Sequence, residues 1–196
     1  MPRGVIIRVV VFALAAALPF AAAAASLRDA ATYLAAGEGD TAAAELTAYG
    51  RTEPTAPLAN QALDCVLLLY KVKLEPESLA PYVEALALLA DGYASTADAV
   101  FREMAANREL PWALRGRAAL LAADLNTRGD RLRLLESAWR ECDDDTGRLL
   151  AVALAEAYYD AGKADEARAV RDEFARRFPG DEGIKYFGYL TEEDGR

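Results

Sequence analysis

The chain has 196 residues, 31 acidic and 22 basic side chains and a formal charge of −9. That balance argues against a nucleic-acid binder, which needs a basic stripe to displace counterions from phosphates. There is no histidine and there are only two cysteines, which removes the commonest general base, every Ser-His or Cys-His dyad, a disulfide scaffold and a four-thiolate zinc site.

The first 25 residues read as an address. Arg3 and Arg8 stand in a head without acids, Val9–Leu18 is unbroken apolar sequence, and Ala21–Ala25 supplies small residues before Ser26. This order is that of a secretory signal peptide cut after Ala25. The competing reading is a retained anchor over Val9–Ala25, which Pro19 and the alanine tail weaken. No cysteine follows the cut to carry a lipid. The processed chain would be periplasmic or secreted, with 31 acids against 20 bases.

From Ser26 onward there are 35 alanines and 25 leucines against six valines and one isoleucine, Ile184. Good helix formers dominate and β-branched residues are too scarce for a sheet, so the expected fold class is all-α. Ser26 with Asp29 starts a helix over 27–36. Asp40 is the expected N-cap of a second, ending near Gly50. A third fits 58–72 with Leu63, Val66, Leu67 and Tyr70 on one inward face. Pro76 and Pro81 bracket the start of a fourth over 80–91. Ser95 and Asp98 start a fifth over 96–107, with Val100, Phe101 and Met104 inward. Pro111 opens a sixth over 111–127. The others fall at 130–141, 147–161 and 163–178, with a short last helix at 183–190. Such helices on short turns predict stacked antiparallel pairs.

Gly92, Gly129 and Gly162 fall between helices at spacings of 37 and 33, near a two-helix period of 34. Over 147–181 the residues Leu154, Ala155, Tyr158, Gly162, Ala167, Phe174 and Pro179 resemble the tetratricopeptide repeat in order and spacing. Leu121, Ala122, Leu125 and Gly129 repeat part of the pattern, with Leu134 in place of the small residue. Gly39 with Ala44 offers a fainter copy. The resemblance implies a repeat domain over 26–182, a cap and acidic tail over 183–196, and a concave groove lined by the first helix of each pair. In that register Asn126, Leu149, Val152, Glu156, Tyr159 and Asp160 face the groove, and a partner protein or peptide is the implied ligand.

Other chemistry is thinly represented. Cys65 and Cys142 are separated by four helices and read as two buried hydrophobes. Asp143–Asp145 lack the glycine-turned spacing of a calcium loop. Glu84, Glu136 and Glu156 are single acids on helices, where a hydrolase needs two facing one another. Tyr186, Phe187 and Tyr189 read as the cover of the last pair, or else as a docking surface. No cofactor or metal is expected. The expected function is an exported interaction scaffold, with a carrier of a small apolar ligand as the alternative and a small hydrolase further behind. N-terminal sequencing of exported protein should begin near Ser26; an intact Met1 terminus in the cytosolic fraction would contradict the address.

Overall fold

The computed structural model describes residues 26–52, 58–142 and 145–190. The leader over 1–25, Asp143 and Asp144, and the tail carboxylates Glu192, Glu193 and Asp194 lie outside them. Among the described residues every regular element is helical. The fold is all-α, with helices packed against their neighbours in sequence order. The chain divides into two compact units, Met1–Val100 and Phe101–Arg196.

The first unit holds α1 (26–35), α2 (Gly39–Thr52), α3 (Ala59–Leu67), which runs on as a π turn over Leu68–Val72, and α4 (Pro76–Ala90). Helix α5 (Ala94–Ala106) runs across the division. Ser26 does not cap α1: its hydroxyl donates to Glu45 on α2 at 3.5 Å. Asp40 lies within the first turn of α2 rather than before it. Helix α4 begins a turn earlier than expected because Pro76 occupies its first position, where the fixed φ suits a helix and no N–H is needed. Pro81 therefore sits inside the helix, accommodated by a buried flank of Leu79, Tyr82, Val83 and Leu86.

The third helix corrects the expected face. Leu63, Leu67 and Tyr70 are exposed, while Ala59, Ala62, Cys65 and Leu68 are buried. Its polar residues Asn60, Gln61, Asp64 and Lys71 leave a broad apolar arc, within which Leu63, Leu67 and Tyr70 are not the ones buried. At the contact with α2, Leu63 lies so close to Gly50 that a Cβ there would come within 2.6 Å of it.

The second unit holds α6 (Trp112–Asp124), α7 (Arg128–Glu141), α8 (Asp145–Asp160), α9 (Ala164–Arg177) and a 3-10 helix over Glu182–Leu190. Helix α8 packs on α6, α7 and α9, and the 3-10 helix covers α8 and α9. Gly116 lets α6 cross α8, since a Cβ there would meet Thr146 at 2.5 Å. Arginines close helix ends. Arg177 stacks on Trp139 at 3.8 Å and donates to the carbonyls of Trp139 and Cys142 at the end of α7. Arg115 stacks on Trp112 at 3.9 Å and donates to Ala105 at the end of α5. Such bonds satisfy carbonyls that a helix terminus leaves over. Cys65 and Cys142 are both buried thiols.

The glycines of the expected period do not all behave alike. Gly37, Gly92 and Gly162 have φ of +77°, +85° and +74°, the left-handed conformation that favours glycine. Gly129 lies in the first turn of α7, and the α6–α7 turn is closed without a left-handed glycine: Asn126 donates its side-chain N–H to Ala122. The hairpin glycine of the first pair is Gly37, not Gly39. Around these three glycines the same positions are sealed. Ala30, Ala85 and Ala155 stand seven residues before, and Ala42, Ala97 and Ala167 five after, all at 0 % exposure. Ala44, the small residue of the expected register, is exposed.

This register predicts that Ala42→Leu and Ala167→Leu each destabilise by about 1–3 kcal/mol through overpacking. Ala44→Leu should stay within about 0.5 kcal/mol of the parent. Thermal melts of the three variants decide between the registers; equal loss at positions 42 and 44 would refute the Gly37 one.

Candidate functional site

Surface clefts open in the second unit. One, of about 560 Å3, is walled by Arg117 of α6, by Arg148, Leu149 and Val152 of α8, by Phe174 of α9, and by Asp181, Glu182, Lys185 and Tyr186. Its position follows from the end of α9. Phe178, Pro179 and Gly180 break that helix, Gly180 with φ +78°. Phe187 then folds back onto Phe174, ring centroids 5.2 Å apart, and is 1 % exposed. The neighbouring Tyr186 points outward, 70 % exposed, opposite Leu149 at 52 %. Charged side chains are fixed around this apolar gap. Arg148 pairs with Asp181 at 2.7 Å and lies over the Phe178 ring at 5.1 Å. Arg117 donates to Ala113 O at 2.8 Å and to Thr146 Oγ1 at 2.9 Å. Lys185 pairs with Glu182 at 3.2 Å.

A second cleft, about 210 Å3, opens over α7, α8 and α9 and is walled by Glu136, Trp139, Tyr158, Glu166 and Glu173 among others. The Tyr158 hydroxyl donates to Glu136 at 2.7 Å. Burial pushes its pKa up to about 12, reinforced by the hydrogen bond to Glu136 and by that carboxylate's charge. Glu136 also pairs with Arg140 at 3.9 Å. Of the three single acids noted in sequence, it is therefore tied to two neighbours, whereas Glu84 and Glu156 are solvent-exposed. The third cleft, also about 210 Å3, is lined by Asn126, Arg131, Ala157 and Asp160. Arg131 bridges Asp124 at 3.9 Å and Asp160 at 3.8 Å. Burial raises the pKa of Asp124, opposed by the charge of Arg131.

The six residues assigned to one groove are divided. Leu149 and Val152 wall the large cleft, and Asn126 and Asp160 line the third. Glu156 is exposed, and Tyr159 is half-buried against the core of its unit. Tyr186, read as part of an end cover, joins Leu149 across the large cleft, while Phe187 does the covering. Arg117 and Arg148 stand among alanines and leucines on helices, where a lone charge reads as solvent-facing. Only the fold back at Phe187 shows that they border a gap. Among the described residues no group of three or more Cys, Asp or Glu is placed to hold a metal ion.

Comparison with protein-family models, with curated proteins and with solved structures finds no match.

The Tyr158 phenol has a pH signature. Its folded pKa lies above the usual value of 10.0, so the folded form holds the proton that the unfolded form gives up. The resulting stability is complete below about pH 10 and is lost as pH rises through about 12. Absorbance titration at 295 nm should show a late-ionising phenol that Tyr158→Phe removes. An unchanged late phase would contradict the Tyr158–Glu136 bond.

Proposed function

We propose that the chain is an exported scaffold of tetratricopeptide type that holds a segment of a partner protein, and that it has no catalytic role of its own. Three features support the repeat reading. In the pair α8–α9, Leu154, Ala155, Ala167 and Phe174, the residues of the motif, are buried, its turn carries a left-handed glycine at Gly162, and in the second unit α6, α7, α8 and α9 each pack on the next helix. The leader sequence supports export, and no helix among the described residues is long and apolar enough to cross a membrane.

The observation that carries the binding reading is the 560 Å3 cleft between α8 and the 3-10 helix. Its volume falls within the range of about 300–1,000 Å3 that ligand sites occupy. Its apolar walls Leu149 and Tyr186 are open to solvent, which suits a passing peptide better than an enclosed small molecule. Tyr186 offers a rigid ring with a polar tip, the kind of side chain on which interface energy concentrates.

A pull-down from the native envelope fraction tests this. Leu149→Asp with Tyr186→Asp should lower recovery of the co-purifying partner at least about tenfold, equivalent to about 1.4 kcal/mol, with circular dichroism and melting point retained. Asn126→Ala with Asp160→Ala, in the third cleft, should leave recovery unchanged. The opposite pattern would move the site to the α6–α7 turn, and loss with neither pair would refute the second unit as the binding surface.

A further inference from the structure

The charged side chains that wall the 560 Å3 cleft are all engaged within the chain. Arg148 pairs with Asp181 and lies over the Phe178 ring, and Asp181 also accepts from the backbone N–H of Gly183. Arg117 donates to Ala113 O and to Thr146 Oγ1. Lys185 and Glu182 pair with each other. Both carboxylates are thus matched by a cation from the same walls. A ligand carboxylate or ammonium would have to displace one of these contacts to make its own, and the exchange returns little. The pair that yields most easily is Lys185–Glu182, whose side chains are 72 and 88 % exposed. An ion pair so open to water contributes little to recognition.

What the chain leaves unmatched in this cleft is apolar surface. Leu149 and Val152 stand three positions apart on α8 and share a face, and the exposed ring of Tyr186 is opposite Leu149. An apolar side chain placed between Leu149 and Tyr186 takes both walls out of water at once. No contact within the chain has to break for it to enter. The Tyr186 hydroxyl, at the polar tip of its ring, can donate to or accept from a passing peptide backbone. That bond holds a chain segment without reading its sequence.

We propose that the partner segment is recognised through one large uncharged side chain, of the leucine, methionine or phenylalanine kind, inserted between Leu149 and Tyr186, and that it forms no ion pair with the cleft. The inference rests on the cleft being the binding surface and names what that surface takes: a segment of another protein that is uncharged where it touches the walls. Binding of such a segment is insensitive to salt, since screening acts on charges that face one another across the contact.

Selection from a library of short random peptides on the immobilised processed chain tests the proposal. Enriched peptides should share one large apolar residue and no fixed acid or base. The strongest binder, made as a net-neutral synthetic peptide, should keep its Kd within about threefold from about 0.05 to about 1 M NaCl, over which the Debye length falls from above 10 Å to about 3 Å. Replacing its apolar residue by Asp, or by Lys, should weaken binding at least about tenfold. Leu149→Asp with Tyr186→Asp in the chain should do the same. A fixed acid or base among the enriched peptides, or a Kd that rises further with salt, overturns the uncharged anchor; if binding still requires Leu149 and Tyr186, the cleft stands as the binding surface. Binders indifferent to the Leu149→Asp, Tyr186→Asp variant, or a library that yields no binder, overturn the cleft and the anchor together. Enriched sequences that match a stretch of this chain make the occupant a second copy and overturn a separate partner.

Discussion

The close approach of paired helices at alanine governs this fold. Around Gly37, Gly92 and Gly162 an alanine seven residues before and an alanine five residues after are fully buried. The turns share one hydrogen-bond pattern. The residue after each glycine donates back to Tyr33, Leu88 or Tyr158, and the glycine itself donates to Leu34, Leu89 or Tyr159. This is the Schellman arrangement, which needs a left-handed residue and satisfies carbonyls at the end of the first helix. The next helix then starts within two residues, so the small side chains are brought together by the turn itself. Alanine buries little apolar area, so the larger part of the hydrophobic gain comes from side chains further along. Tyr49, Met104 and Phe174, each twelve residues after its glycine, are at most 5 % exposed.

That constraint explains which parts of the structure were legible from sequence. Helix number and type were legible, because alanine, leucine and the Gly and Pro breaks act locally. The turn of the last hairpin was legible, since Gly162 is left-handed and Ala155, Ala167 and Phe174 are buried around it, while its helix ends fall one or two residues from those expected. The period was not. Gly129 looked equivalent to Gly92 and Gly162, yet Asn126 closes the α6–α7 turn through its side chain, and Gly129 is left inside α7. A left-handed glycine and a helical one are the same letter; the difference lies in backbone conformation. The face of α3 was illegible for a related reason. A rule that puts the largest apolar residues inside fails here: Ala59, Ala62 and Cys65 are buried while Leu63, Leu67 and Tyr70 are exposed, Leu63 lying beside Gly50 and Tyr70 bonded to Asp40 on α2.

The candidate site depends on contacts between distant positions. Leu149 and Val152 lie more than thirty residues before Tyr186 in sequence, and what joins them to it is the return of Phe187 onto Phe174. Arg148 strengthens that return by pairing with Asp181 at the start of the fold back. Asp181 in turn accepts from the backbone N–H of Gly183 at 2.7 Å, which fixes the entry into the 3-10 helix. These pairs are partly exposed, where an ion pair contributes about 0–1 kcal/mol. Their part is to hold direction, while the buried rings of Phe174 and Phe187 hold the segment down.

A cleft at this place follows from the geometry of the last segment. An α-helix continuing the pattern of pairs would lie along α8 and α9 and cover both. A 3-10 helix is narrower and rises about 2.0 Å per residue against 1.5 Å, so the nine residues Glu182–Leu190 reach along the pair and shield less of its width. Phe187 is spent on the end of α9, which leaves the outer surface of α8 at Leu149 and Val152 facing the exposed Tyr186 across open space. The features that end α9, Pro179, the left-handed Gly180 and the aromatic anchor, are thus also the ones that create the 560 Å3 recess. The seal on the stack and the proposed binding surface are two sides of one nine-residue segment.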